Sequence, residues 1–219
     1  MKFIKLFFLL LSFSVFSQST FEKAEKLYAQ KKYNEAEKLF SEHLKSQPNH
    51  IKTIEYLGDI AGHQKDWDTG ITNYKKLKVS YPKNANYWYK YGGALGMKAK
   101  ESNKFKALGM IDEVEESFLT AAKLDAKHVE SRWALVMLYI ELPAMIGGSE
   151  KKAQKYADEL MMLSKVVGYL SKGYIDVYSE RYSKAETNYK KAHEIGNSNT
   201  TYEKLYDLYL NKMKNKTKA

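Results

Sequence analysis

Five histidines are the first candidates for metal or acid–base chemistry: His43, His50, His63, His128 and His193. A metal site needs converging ligands, and on a helix residues three or four apart converge. No His-x3-His or Glu-x2-His pair occurs. His50 and His128 fall at equivalent places in an internal repeat, where one unit turns into the next, which predicts solvent-exposed turn residues. There is no cysteine, so disulfides, thiolate zinc sites and thiol nucleophiles are excluded. No Gly-x-Ser-x-Gly elbow, phosphate-binding glycine loop or dinucleotide fingerprint is present. Gly147-Gly148-Ser149 suggests a phosphate nest, but it reads better as a flexible turn in which Ser149 caps the next helix. That cap is a simple one, because the acid of a capping box is missing. Asp112, Glu113, Glu115 and Glu116 spread around a helix, which predicts a solvated face rather than paired acids in a dry cleft. The chain is therefore read as non-catalytic, with no catalytic, cofactor or metal residue assigned.

The elements that carry these side chains are helical. The 219 residues include only three prolines against many Ala, Glu, Lys, Leu and Tyr, and 44% are hydrophobic. That is too apolar for a disordered chain and enough to bury a core. Thirty-six Lys and Arg against 26 Asp and Glu leave a net charge of +10. Residues 1–17 read as a secretory signal peptide: Lys2 and Lys5, an apolar run from Leu6 to Phe16, then Val15-Phe16-Ser17 as a cleavage site before Gln18. The run is too short to span a bilayer comfortably, and no later stretch is long and apolar enough to do so. Cleavage would remove two lysines, leaving a charge near +8. For an exported chain, positive charge suggests lipid headgroups, acidic polysaccharide or an acidic protein rather than nucleic acid.

Three segments align without gaps: KKYNEAEKLF (31–40), KDWDTGITNY (65–74) and ERYSKAETNY (180–189). Each places an aromatic (Tyr33, Trp67, Tyr182) three residues before a small residue (Ala36, Gly70, Ala185). An aromatic then follows four residues on (Phe40, Tyr74, Tyr189). The fullest unit, 51–84, reads Ile54-x2-Leu57-Gly58-x2-Ala61, then Gly70-x3-Tyr74-x2-Leu77, then Pro82. This 34-residue pattern resembles the tetratricopeptide repeat (TPR) family. The resemblance implies an all-α, right-handed α-solenoid of about five helix pairs with a C-terminal capping helix. Small residues let paired helices approach, aromatic and leucine residues fill the gaps, and Pro82 stops the second helix. The expected units are about 18–50, 51–84, 85–128, 129–165 and 166–199, within a solenoid over 18–210. A cap over 200–214 and a basic tail over 211–219 follow. The remaining repeat-defining residues are Trp88, Gly92 and Phe118 in unit three, and Ala153 in unit four. About ten extra residues fall around 97–110, and the turn at 142–149 is enlarged.

In TPR proteins the first helix of each pair lines a concave groove, and this resemblance implies groove columns here. Unit two gives Lys52, Glu55, Asp59 and His63; unit three Asn86, Tyr89, Gly93 and Met97. Unit four gives Glu130, Trp133, Met137 and Glu141; unit five Val167, Leu170, Tyr174 and Tyr178. Tyr and Trp anchor interfaces well, so Tyr89, Trp133, Met137, Tyr174 and Tyr178 form the expected partner-binding strip. Some relatives hold a C-terminal carboxylate with cationic groove residues. Glu55 and Asp59 stand at matching columns and would repel one. The expectation is a protein- or peptide-binding adaptor of the bacterial envelope, periplasmic or secreted, without a cofactor and with nucleic acid disfavoured. The alternative is a periplasmic small-ligand or polysaccharide-binding accessory protein that uses the same aromatic strip. The lysine-rich tail (Lys212, Lys214, Lys216, Lys218) offers contact with an anionic surface, though such tails are usually solvated and disordered.

Overall fold

Local signals set the helix boundaries. The computed structural model describes residues 19–219, so the leader read at residues 1–17 lies outside the described residues. Eleven α-helices follow one another among the described residues: α1 Thr20–Ala29, α2 Tyr33–Ser46, α3 Ile51–Gln64, α4 Trp67–Ser80, α5 Ala85–Glu101, α6 Lys104–Leu124, α7 Val129–Glu141, α8 Glu150–Leu163, α9 Lys165–Tyr178, α10 Tyr182–Gly196 and α11 Asn199–Asp207. A 3-10 turn, Ala144–Ile146, precedes α8, and a π turn, Leu208–Lys212, follows α11. Side-chain oxygens cap several starts: Ser19 on α1, Asp66 on α4, Asn103 on α6, Ser149 on α8 and Ser164 on α9.

The chain divides into two compact units, 19–57 and 58–219, with the division inside α3. In the first, α1 packs on α2 through Ala24, Ala36 and Phe40, all fully buried. The Phe40 ring stacks on Tyr56 at 4.8 Å, and the Tyr56 hydroxyl donates to Glu25. His50 is half-buried rather than an exposed turn residue. Its ring meets Phe21 at 4.7 Å and His43 at 4.8 Å. Burial and the neighbouring His43 lower its pKa.

In the second unit the glycine of each Leu-Gly-type signature is a seat for an aromatic ring. A Cβ on Gly58 would lie 2.6 Å from the Tyr74 ring, and one on Gly92 would lie 2.8 Å from Ser117 and 3.0 Å from Phe118. A Cβ on Gly173 would overlap the Tyr189 ring. Ala153, Ala157, Ala185 and Ala192 are likewise buried where second helices cross their neighbours.

The extra residues near 97–110 are not a loop. They lengthen two helices: α5 has 17 residues and α6 has 21, against 14 in α4, α8 and α9. Only Ser102 and Asn103 interrupt them. The cause is composition, since KAKES and KFKALG contain strong helix formers and no proline. The 142–149 turn is a true loop. Gly147 has φ 102°, and a Cβ on Gly148 would overlap the Leu142 carbonyl. Both glycines are thus required by the backbone, and Ser149 Oγ accepts from the Lys152 N–H at 3.2 Å.

The second histidine also departs from expectation. The His128 side chain is 10% exposed and caps α7, its Nδ1 accepting from the Ser131 N–H. Nor are the α6 carboxylates merely a solvated face. Glu113 accepts from Tyr91, and Glu115 accepts from Tyr139 and Lys152. The tail folds back too: Lys218 pairs with Glu186 at 3.0 Å and lies over the Tyr209 ring.

Candidate partner-binding site

The candidate site is built on α5, α7 and α9, the first helices of three successive pairs in the second unit. Each begins at a capped N-terminus: Asn84 caps α5, His128 caps α7 and Ser164 caps α9. Their far ends meet at one carboxylate. Glu141, the last residue of α7, accepts from the Tyr174 hydroxyl at 2.5 Å and pairs with Lys100 Nζ at 2.7 Å. Its backbone carbonyl accepts from the Tyr178 hydroxyl at 3.2 Å. The Glu141 side chain keeps only 21% of its exposure, so these bonds form with partial exclusion of water. Burial, and then the Glu141 carboxylate, push the Tyr174 pKa well above the ordinary tyrosine value.

Three of the five strip residues come together. The Trp133 and Tyr174 rings lie 6.1 Å apart, and those of Tyr174 and Tyr178 lie 6.5 Å apart. Tyr178 is half exposed. Trp133 serves two ends, since it also packs against the buried cluster of Leu170, Ala185, Tyr189, Ala192 and Leu208. Met137 is half-buried one turn along α7 from both Trp133 and Glu141, on the same helix face. Tyr89 stands apart: its ring sits against Phe118 at 6.1 Å and His128 at 5.4 Å. In the column of Met137 and Tyr174, α3 holds Asp59, which accepts from Tyr74 and pairs with Lys90 at 2.7 Å.

Sequence reasoning placed Glu141 in a groove column but overlooked its role, and it overlooked Lys100 altogether. Their separation of 41 positions leaves no local signal for the pair. Chemically, the arrangement is an aromatic surface whose hydroxyls are held in place. Among the described residues no cluster of His, Asp and Glu could hold a metal ion, and no helix is long and apolar enough to cross a membrane. The surface depressions lie elsewhere. One, of about 300 Å³, lies along α6 and is lined by Asp112, Glu115, Glu116, Leu119, Thr120 and Lys123.

No family model matches the chain, and no curated protein matches it. Solved structures do. A thermophilic TPR protein of Thermus thermophilus superposes with a TM-score of 0.71 at 17% identity, covering 88% of this chain and 98% of that one. YrrB, described as a TPR protein with an unusual peptide-binding site, gives 0.55 at 14% identity over 83% and 87%. The human IFIT1 dimer with m7Gppp-AAAA gives 0.71 at 20% identity over 90% and 47%. At these identities the likeness carries the fold: the chain is an all-α solenoid with the tetratricopeptide-repeat fold.

Proposed function

We propose that this chain, with its tetratricopeptide-repeat fold, is a non-catalytic adaptor that binds a protein or peptide along its first helices, at Trp133, Met137, Tyr174 and Tyr178, with Tyr89 extending the strip. The observation that carries this reading is the Trp133–Tyr174–Tyr178 run fixed to Glu141. A side chain already held in its binding rotamer loses less entropy on association. Tyr and Trp offer large contact area with a polar tip. The description of YrrB as a peptide-binding TPR protein supports the same class of partner.

The charges beside the strip narrow the partner. Lys90 is held by Asp59 and Lys100 by Glu141. Both lysines are thus engaged, which disfavours a carboxylate clamp or a phosphate track there and favours an apolar or aromatic peptide. The charged start and short apolar run of residues 1–17 support export to the periplasm or beyond. N-terminal sequencing of the mature protein tests that part, and a mature chain starting at Met1 would overturn it.

The binding test is an affinity capture from envelope extract with residues 19–219, beside a Trp133→Ala/Tyr174→Ala variant. Helical circular dichroism of the variant serves as a folding control. Proteins captured by the wild type and lost with the folded variant establish the adaptor. Equal capture by both overturns the strip. Capture of no protein moves the reading to a small ligand or polysaccharide stacked on the same rings.

A further inference from the structure

The elongated third hairpin has a use separate from the strip. In the second and fifth pairs, 16 residues separate the seat glycine from its aromatic (Gly58 to Tyr74, Gly173 to Tyr189). In the third pair the same interval, Gly92 to Phe118, is 26. The ten added residues are helical: three lengthen the end of α5 and seven the start of α6. At 1.5 Å per residue, the additions lengthen α5 by about 4–5 Å and α6 by about 10 Å beyond a 14-residue helix.

At that tip Phe105 is 89% exposed and Leu108 is 45% exposed. Lys104 and Lys106 flank the phenyl ring and are both exposed. The acids nearby are already engaged. Glu101 accepts from Trp67 Nε1, Asp68 pairs with Lys98, and Glu141 pairs with Lys100. Glu101 keeps its negative charge, because its donor is a neutral indole, so Lys104 and Lys106 together outweigh it by one positive charge beside a bare aromatic. The next turn adds a second such side chain. The Lys100–Glu141 pair brings the end of α5 to the end of α7, where the 142–149 loop begins, and there Met145 is 96% exposed.

Single bulky side chains on convex tips do not form the flat, pocketed patch that a protein interface uses. They suit a medium that closes around each of them. Lysines beside them suit anionic headgroups, above which their stems can snorkel. We propose that this end of the second unit docks on an anionic lipid surface, with Phe105 and Met145 entering the acyl boundary and Lys104 and Lys106 pairing with headgroup phosphates. None of these four residues belongs to the Trp133–Tyr174–Tyr178 strip, although the two surfaces adjoin at Glu141, which pairs with Lys100 and accepts from Tyr174.

The test is flotation of residues 19–219 with phosphatidylglycerol/phosphatidylethanolamine vesicles, beside pure phosphatidylcholine vesicles. Omitting residues 1–18 removes the apolar leader as a source of binding. The wild type is expected to float with the anionic vesicles and not with phosphatidylcholine. Lys104→Glu/Lys106→Glu and Phe105→Ser/Met145→Ser should each weaken binding at least tenfold without changing the helical spectrum. A tail variant, Lys212→Gln/Lys214→Gln/Lys216→Gln, should bind as the wild type does. Failure of the wild type to float, equal binding by the tip variants, or loss of binding only in the tail variant would overturn the proposal. A wild-type dimer in light scattering that Phe105→Ser/Met145→Ser converts to monomer would overturn it in favour of a second copy of this chain.

Discussion

Gly173 carries the Tyr189 ring so closely that a methyl group has no room, and Tyr189 is buried between α9 and α10. Gly173→Ala should therefore destabilise the protein by about 2 kcal/mol, the usual size of an overpacking cost. Gly93 is the contrasting case. It lies inside α5, and a Cβ there would meet nothing within 4 Å. Gly93→Ala should stabilise by about 0.5–1 kcal/mol through helix propensity alone. Urea denaturation midpoints check both, and equal shifts of the same sign would show that the glycine seats do not matter. The buried phenols make a second residue-scale prediction. Burial, followed for two of them by the carboxylate they donate to, raises the pKa values of Tyr91, Tyr139 and Tyr189 above the ordinary value of 10.0. Their contribution is fully present below pH 10. Above it the unfolded chain loses those protons first, and each tyrosine costs about 1.4 kcal/mol of stability per pH unit. Tyrosinate absorbance from these rings should thus rise together with loss of the helical signal, rather than before it.

The turns within pairs set the next scale. Lys31, Lys65 and Glu180 adopt left-handed backbone, with φ 60°, 61° and 57°. Each stands two residues before the aromatic that opens the second helix. The following N–H closes the first helix by bonding five residues back: Lys32 to Leu27, Asp66 to Ala61 and Arg181 to Asp176, at 2.8–2.9 Å. This is the Schellman geometry, which favours glycine. Lys65→Gly and Glu180→Gly should each raise stability by up to about 1 kcal/mol, read as a higher Tm, because a non-glycine residue bears a steric cost in that region. A lower Tm in both would show that their side chains do more than turn the chain. Asp66→Ala should cost about 1 kcal/mol by removing the bond to the Thr69 N–H that caps α4.

The end of the second unit decides how the molecule terminates. Leu208 is buried against Ala185, Tyr189 and Ala192, Tyr209 is buried as well, and Thr201 is fully buried. Deleting residues 198–219 would expose that cluster and should increase binding of a hydrophobic dye and aggregation. Glu186 fastens this end. Lys190 and then Lys218 pull its pKa from 4.5 to about 2, and Tyr209 also donates to it. A depressed carboxylate stabilises above its unfolded value and loses that contribution as pH falls from about 4.5 to about 2. Glu186→Gln should thus be about 1–2 kcal/mol less stable at pH 7. The gap should vanish near pH 2, and a gap that persists there would show that charge is not its origin.

The helix pairs were legible in the sequence because their signals are local. A glycine or alanine on one helix, an aromatic four residues after a small residue on the next, and a turn between them all fall within one 34-residue period. The aromatic strip was half legible for the same reason: the repeat phase locates Trp133, Tyr174 and Tyr178 on first helices. Other features depended on tertiary contacts. Residues 97–110 stood out only as about ten extra residues, yet they lengthen α5 and α6 and expose Phe105, since helix propensity outweighs a break in phase. His50 and His128 looked like exposed turn residues, yet His50 is half-buried among rings and His128 caps α7. Glu141 bonds Lys100 and Tyr174 across 41 and 33 residues. Distances of that kind have no period to betray them. Composition and phase determine which faces are apolar and where the chain turns, because those depend on near neighbours. Which carboxylate meets which phenol depends on side chains brought together only when the helices stack.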